Sequence, residues 1–178
     1  MAIDGRPADY RKSGRRSPPE SRWGIIGRRG EEAGVTNPYL QTVPAAWARA
    51  GGAALLAAVI VLDQFSRHLF RNSPQAYAAD PLVRRLARDA IAHGDDRTMT
   101  HQERLFLYLP FKHSEDPADQ ALAVTLIGRL GNGDWTRFAL AHKASIDRFG
   151  RFPHRNDVLG RISTEDEIAL LQDPTGSF

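Results

Sequence analysis

The chain has 178 residues and no cysteine, which favours one domain with its own core and excludes structural disulfides and thiolate chemistry. Its formal net charge of +3 arises in the N-terminal part, because residues 1–50 hold nine Lys and Arg against five Asp and Glu, whereas residues 51–178 hold fifteen against sixteen. The nearly neutral remainder gives no support to nucleic-acid binding.

Residues 1–43 are predicted to be disordered or atypical, and residues 44–178 to form a helical domain. Residues 11–19 are basic and rich in Gly, Ser and Pro, so they bury too little apolar surface to offset the entropy of ordering. A basic arm and a solvated tail both fit this composition, and the lack of interleaved aromatic residues favours the tail. No secretory signal pattern is present. We therefore expect a cytoplasmic protein that binds neither nucleic acid nor membrane.

The most apolar stretch, Ala53–Leu62, contains no charged residue. It reaches about half of the ~20 residues that a membrane helix needs, so we interpret it as a buried core helix. Asp63, Arg67 and Arg71 follow at intervals of four, which places them on one helical face. An uncovered flank of Ala53–Leu62 would promote association, and this region is where we expect any homodimer to form.

Helix start and stop signals divide the rest of the chain. Asp before Pro, and Thr followed three residues later by Glu, mark helix starts, whereas Gly marks helix ends. Because Pro110 lies close behind the start at Thr100, the aromatic helix between them is expected to be short. No run alternates with period two for long enough to form a strand, which predicts an all-α protein. The predicted starts are Asp80, Thr100, Asp116, Asp134 and Thr164, and the predicted ends are Gly94, Gly131–Gly133 and Gly150.

Four motifs, in this order along the chain, resemble an uncharacterised bacterial family, the domain of unknown function numbered nine-two-four. The resemblance runs from about Trp47 to the C-terminus and implies a tetratricopeptide-like antiparallel helical bundle. It also implies that the family's first helices are missing here, because residues 1–43 do not resemble them. The family has no established activity, so the resemblance implies a fold and not a function. The motifs are Asp63–Arg67, Ala79–Pro81, Glu103–Glu115 and Phe149–Asn156.

Ionisable residues cluster where three of these motifs pass from apolar anchors to polar groups. Stacked antiparallel helices bring such ends together, so we expect the groups to surround one concavity. A packing network of paired charges is the alternative, since an unpaired buried charge is very costly. No histidine pair has the spacing of a zinc helix, so no metal is predicted. The candidate catalytic residues are His113, Glu115 and His154, and the candidate ligand-binding residues are Asp63, Arg67, Arg71, Arg151, Arg155 and Asn156.

Two functions fit this set of residues. The first is the binding of a protein partner or a small anionic ligand through a cationic cleft, since arginines hold carboxylates and phosphates and helical stacks form concave surfaces. The alternative is a hydrolase that acts on a phosphorylated or carboxylated metabolite with a His/Glu acid–base pair. The sequence has no glycine-rich phosphate loop and no dinucleotide fingerprint, so no cofactor is predicted.

Overall fold

A computed structural model describes residues 47 and 50–173 of the chain. Between residues 50 and 173 the backbone is helical with no strand, which confirms the all-α prediction. The predicted segment 1–43 lies outside the described residues. The helices are α1 (Gly52–Leu69), α2 (Asp80–His93), α3 (His101–Lys112), α4 (Pro117–Gly128), α5 (Gly133–Phe149) and α6 (Glu165–Gln172), and short 3-10 turns span Pro74–Tyr77, Asp95–Thr98 and Pro153–Arg155.

Helix α1 contains a π-helical segment at Val61–Phe65. The backbone N–H of Ser66 donates to the carbonyl of Val61, five residues back, so one extra residue is accommodated in this turn. Asp63 lies in the segment and its side chain is buried in the protein. Arg71, which we expected on the same helical face, lies beyond the end of α1 and is exposed, because the helix stops before Pro74.

Helix α1 is longer than the predicted stretch Ala53–Leu62. Among the described residues it is the one helix long and apolar enough to cross a membrane, with a mean hydropathy of 1.2 over Gly52–Leu69. A core helix of a soluble protein meets the same criteria. Leu55, Val59 and Leu62 of α1 are buried in the main core, and this part of α1 matches the predicted core helix.

The core lies between helices α1 to α5, with Leu62, Leu107, Phe111 and Ile127 among its fully buried side chains. Helix α4 packs against both α3 and α5. The prediction that α3 would be short is wrong, since α3 continues through Pro110 to Lys112. Proline in the last turn removes one helical N–H donor, and the burial of the residues around it, including Phe111, offsets that loss.

The helix starts were predicted with mixed success. Both Thr-Glu capping boxes, at Thr100 and Thr164, are present. Asp116 caps α4 by accepting from the N–H of Ala118 at 2.8 Å. Asp80, expected to be a cap, is instead the first residue of α2. Its carboxylate is then available to a side chain from another helix.

The start of α5 differs from the prediction. Asn132 is the cap, because its side-chain oxygen accepts from the N–H of Trp135 at 3.1 Å. Asp134, the predicted cap, lies one position inside the helix and forms an exposed ion pair with Arg137 at 3.0 Å. Either residue type serves as a cap, so the choice depends on where the chain leaves the turn at Gly131, which has a φ of 74°.

Candidate functional site

His113 and Asp63 form the centre of the candidate site. His113 is the residue at which α3 ends, and Asp63 lies in the π-helical segment of α1. Nδ1 of His113 lies 3.0 Å from Oδ1 and 2.9 Å from Oδ2 of the Asp63 carboxylate. Asp63 is 1% exposed, whereas the His113 side chain is 15% exposed. The carboxylate is therefore behind the imidazole, on the protein side.

The protonation state of this pair follows from its surroundings. Burial disfavours the ionised form of Asp63, but His113 and Arg67 lower its pKa to about 2. Burial lowers the pKa of His113. A carboxylate can only accept a hydrogen bond, so Nδ1 of His113 carries the proton and Nε2 keeps its lone pair. Asp63 thus fixes the tautomer of His113.

Arg67 links the site to α2. Its Nη1 and Nη2 atoms each lie 3.0 Å from one carboxylate oxygen of Asp80, which gives a bidentate pair. Nη1 also donates to the backbone carbonyl of Asp63 at 2.8 Å. Arg67 thus spans two helices and holds the π-helical segment in place.

Arg155, in the 3-10 turn after α5, holds the site from the other side. It is 6% exposed, and its Nη2 donates to the carbonyl of His113 at 2.9 Å. Its guanidinium lies over the rings of Tyr77 and Phe152, at 4.6 and 4.5 Å from their centroids. Its buried Nε has no acceptor among the described residues. The rings fix the plane of the guanidinium.

These residues surround a cavity of about 210 Å³, which we call the His–Arg cavity. Burial and the charge of Lys112 lower the pKa of His142 to about 3, and burial and Arg155 lower the pKa of the more exposed His154 to about 4. The imidazoles are therefore neutral at neutral pH. Within the described residues no three His, Cys, Asp or Glu side chains are arranged to hold a metal ion. The described lining residues are Arg67, Tyr77, His113, His142, His154 and Arg155.

The charges around the cavity differ in position. Two guanidiniums, of Arg67 and Arg155, lie on the wall and pair with the carboxylates of Asp63 and Asp80. Both carboxylates are buried, and neither is among the described lining residues. Lys112 adds a further positive charge near the imidazoles. The described groups on the wall are therefore donors or neutral imidazoles, with the carboxylates behind them.

The other candidate residues lie in separate ion pairs. The Glu115 carboxylate binds Arg161 at 2.7 and 3.0 Å and accepts from the N–H of Phe152 at 2.8 Å. Arg151 binds Glu167 at 2.6 and 2.8 Å, beside a second cavity of about 330 Å³ near the start of α6. Glu115 thus pairs with an arginine, and the carboxylate that contacts a histidine of the cavity is Asp63.

Asn156 lies with the second group and not in the His–Arg cavity. Its Nδ2 donates to the hydroxyl of Ser163 at 3.0 Å and lies 3.3 Å from the Glu167 carboxylate. Of the nine candidates, the structure places Arg67, His113, His154 and Arg155 on the wall of the His–Arg cavity, with Asp63 behind it.

Three residues of the site were not among the candidates. Asp80 matched a helix-cap pattern, which hid its role as the partner of Arg67. His142 was interpreted as a core-edge histidine, since its helical face also carries Trp135. Tyr77 has no signal in the sequence, because only the fold shows that its ring lies under Arg155.

The helices and the cavity define an all-α helical-bundle protein with a histidine–carboxylate pair beside a polar cavity. Residues 34–175 match the family described as bacterial protein of unknown function (DUF924), and the chain belongs to this family. The match begins upstream of the predicted domain start at residue 44. The chain is similar to the solved structure of the protein of unknown function ATU0120 from Agrobacterium tumefaciens, with 37% identity and a TM-score of 0.72 over 84% of this chain and 83% of that chain. The curated proteins contain no match.

Proposed function

We propose that the protein binds a small anionic metabolite in the His–Arg cavity. The observation that carries this proposal is Arg155, a buried guanidinium on the cavity wall whose Nη1 lies 3.8 Å from the Asp80 carboxylate, too far for a hydrogen bond. An unsatisfied buried donor costs about 1–3 kcal/mol, and more when it is charged. A guanidinium that is stacked between two rings and has spare donors suits the recognition of a carboxylate or phosphate.

The size of the cavity favours a small ligand over a peptide. Its volume of about 210 Å³ is below the roughly 300–1,000 Å³ of pockets for drug-sized molecules. At about 30 Å³ for each water in the liquid, it corresponds to about seven waters. The cavity therefore fits a metabolite with few non-hydrogen atoms.

The imidazoles add to the selectivity for anions. Neutral His142 and His154 become favourable partners of an anion once they take up a proton, and a bound anion raises their proton affinity. The complete absence of cysteine fits the reducing cytoplasm, which we propose as the location of the protein.

The test is a titration of the protein with inorganic phosphate, sulfate and malonate. Isothermal calorimetry measures the binding constant of each anion. We expect Arg155→Lys to weaken binding at least about tenfold, because lysine cannot reproduce the stacked, planar donor set. Arg151→Lys is the matched control, since Arg151 pairs with Glu167 beside the other cavity, and it should bind as wild type does. If Arg155→Lys folds poorly, the titration uses His154→Gln instead, because His154 is an exposed residue of the cavity lining. Equal losses in the Arg155 and Arg151 variants, or no binding of any of the three anions, would contradict the proposal.

A hydrolase is the second candidate, and the His113–Asp63 pair favours it. A histidine whose Nδ1–H is held by a buried carboxylate is the arrangement that orients a general base or nucleophile. His113 also lines the cavity in which the anion is proposed to bind. Release of p-nitrophenol from p-nitrophenyl phosphate and p-nitrophenyl acetate tests this candidate, with His113→Asn expected to abolish turnover and exposed His93→Gln expected to retain it.

A further inference from the structure

We propose that Nε2 of His113 accepts a phosphoryl group from a small acyl phosphate bound in the His–Arg cavity. This inference rests on the anion-binding function proposed above and names a substrate class and a covalent step for that site.

The nucleophile is the imidazole of His113. Nδ1 of His113 is held by Asp63 at 2.9 Å, so the lone pair of the ring is on Nε2. Among the described residues no side chain or backbone group forms a hydrogen bond with this nitrogen, and His113 lines the cavity. Attack by Nε2 makes the ring positive, and the buried Asp63 carboxylate stabilises that charge without having to reorganise.

The wall of the cavity fits a phosphoryl group. Guanidinium donors from two separate places meet at it: Arg67 from α1 and Arg155 from the 3-10 turn after α5. The three non-bridging oxygens of a phosphoryl group point in three directions, whereas a carboxylate is planar. The arrangement of the wall therefore suits a phosphoryl group better.

The residues on the wall also restrict the leaving group. An alcohol would have to leave with a proton, and the described lining residues include no carboxylic acid. His142 and His154 have pKa values lowered to about 3 and about 4, so both are poor proton donors at neutral pH before the ligand binds. A carboxylate needs no proton when it leaves. The site thus favours an acyl phosphate over a phosphate ester.

The step balances without an added reagent. The Nε2 lone pair forms the N–P bond while the bond between phosphorus and the acyl oxygen breaks, and the carboxylate leaves with that electron pair. The product is an Nε2-phosphohistidine that retains its Nδ1–H against Asp63. Water then attacks phosphorus, the N–P electron pair returns to Nε2, and dihydrogen phosphate is released.

The experiment uses the full chain with acetyl phosphate as the donor. Phosphorus NMR in alkaline solution identifies phosphohistidine and its ring isomer, and peptide mapping locates the modified residue. We expect the Nε2 isomer on His113 in the wild type and in exposed His93→Gln, and no signal in His113→Asn. Asp63→Asn should slow the formation of the signal at least about tenfold, because the positive ring loses its carboxylate.

The outcomes separate this inference from the proposed function. Binding of inorganic phosphate without any phosphohistidine in the wild type would overturn the inference and leave the anion site standing. Modification of another histidine, or of Nδ1 of His113, would also overturn it, because Nδ1 is held by Asp63. Failure to bind phosphate at all would overturn both. Peptide mapping of the wild type identifies the modified histidine even if a variant does not fold.

Discussion

Nδ1 of His113 lies 2.9 Å from a carboxylate oxygen of Asp63, a residue fifty positions earlier in the chain. The contact joins the end of α3 to the π-helical segment of α1. Two features of the backbone produce it: an extra residue in one helical turn, and a helix that continues past an internal proline. The extra residue in α1 changes the helical positions relative to a regular α-helix, and the continued α3 carries His113 to the His–Arg cavity.

The first prediction concerns the stability contributed by this contact. Asp63→Asn preserves the shape of the side chain but removes the charge that faces Arg67 and His113. We expect the free energy of unfolding to fall by about 1–3 kcal/mol, because buried charged hydrogen bonds are lost. Urea denaturation at pH 7 measures the change.

The control for that variant is Asp134→Asn, which removes an exposed ion pair with Arg137. Exposed pairs contribute about 0–1 kcal/mol, so the control should unfold nearly as the wild type does. A loss at Asp63 no larger than the loss at Asp134 would mean that the buried pair adds nothing to stability.

The second prediction concerns the core. Phe111 is fully buried, whereas Phe106 is 39% exposed although it lies in the same aromatic helix. Phe111→Ala should lower the free energy of unfolding by about 3–5 kcal/mol, because it leaves a cavity. Phe106→Ala should lower it by about 1 kcal/mol, since much of its ring is already in water. Thermal or urea unfolding of the two variants measures both losses. Equal losses of unfolding free energy would contradict the burial pattern.

The contrast between Phe106 and Phe111 separates the structural features that the sequence predicts from those that it does not. Apolar periodicity and helix signals predicted the all-α class, the two capping boxes and the buried part of α1, because local chemistry determines these features. Periodicity could not show which aromatic rings of α3 are buried, since the exposed side of that helix depends on the helices that pack against it. Phe106 of α3 and Phe138 of α5 are both exposed, although each lies in a helix with other aromatic residues.

The same limit applies to the site. The motifs predicted nine candidate residues around one concavity, and the structure places five of them together. These are Asp63, Arg67, His113, His154 and Arg155. Glu115 and Arg151 have the same chemistry and lie equally close to apolar anchors, yet each pairs with another residue, Arg161 and Glu167 respectively. Sequence shows which residues can form ion pairs, and only the fold shows which partner each one has.

The third prediction concerns the start of α5. Asn132→Ala should lower the free energy of unfolding by about 1 kcal/mol, because the side-chain oxygen that accepts from the N–H of Trp135 is lost. Asp134→Ala should cost no more than about 0.5 kcal/mol, since it removes an exposed charge in the first turn. The two alanine variants are compared by urea denaturation. A larger loss at Asp134 would restore the assignment made from sequence, in which that residue is the cap.

The last prediction concerns pH. Burial lowers the pKa of His142 from 6.5 to about 3, and the neighbouring charge of Lys112 adds to the effect. Between these values the unfolded chain binds a proton that the folded protein does not, so stability falls as the pH drops below about 6.5. Asp63 does not contribute in this window, because its folded pKa of about 2 matters only below about pH 4.

We expect the wild type to lose about 1–2 kcal/mol of unfolding free energy from His142 between pH 7 and pH 5. His113 and His154 act in the same direction, since their pKa values are also lowered. His142→Gln removes one titrating group and should flatten the dependence of stability on pH. Urea midpoints at pH 7, 6 and 5 measure this dependence of stability on pH. If His142→Gln keeps the full wild-type dependence on pH, the imidazole of His142 takes up a proton as readily in the folded protein as in the unfolded chain, and burial does not keep it neutral in the cavity.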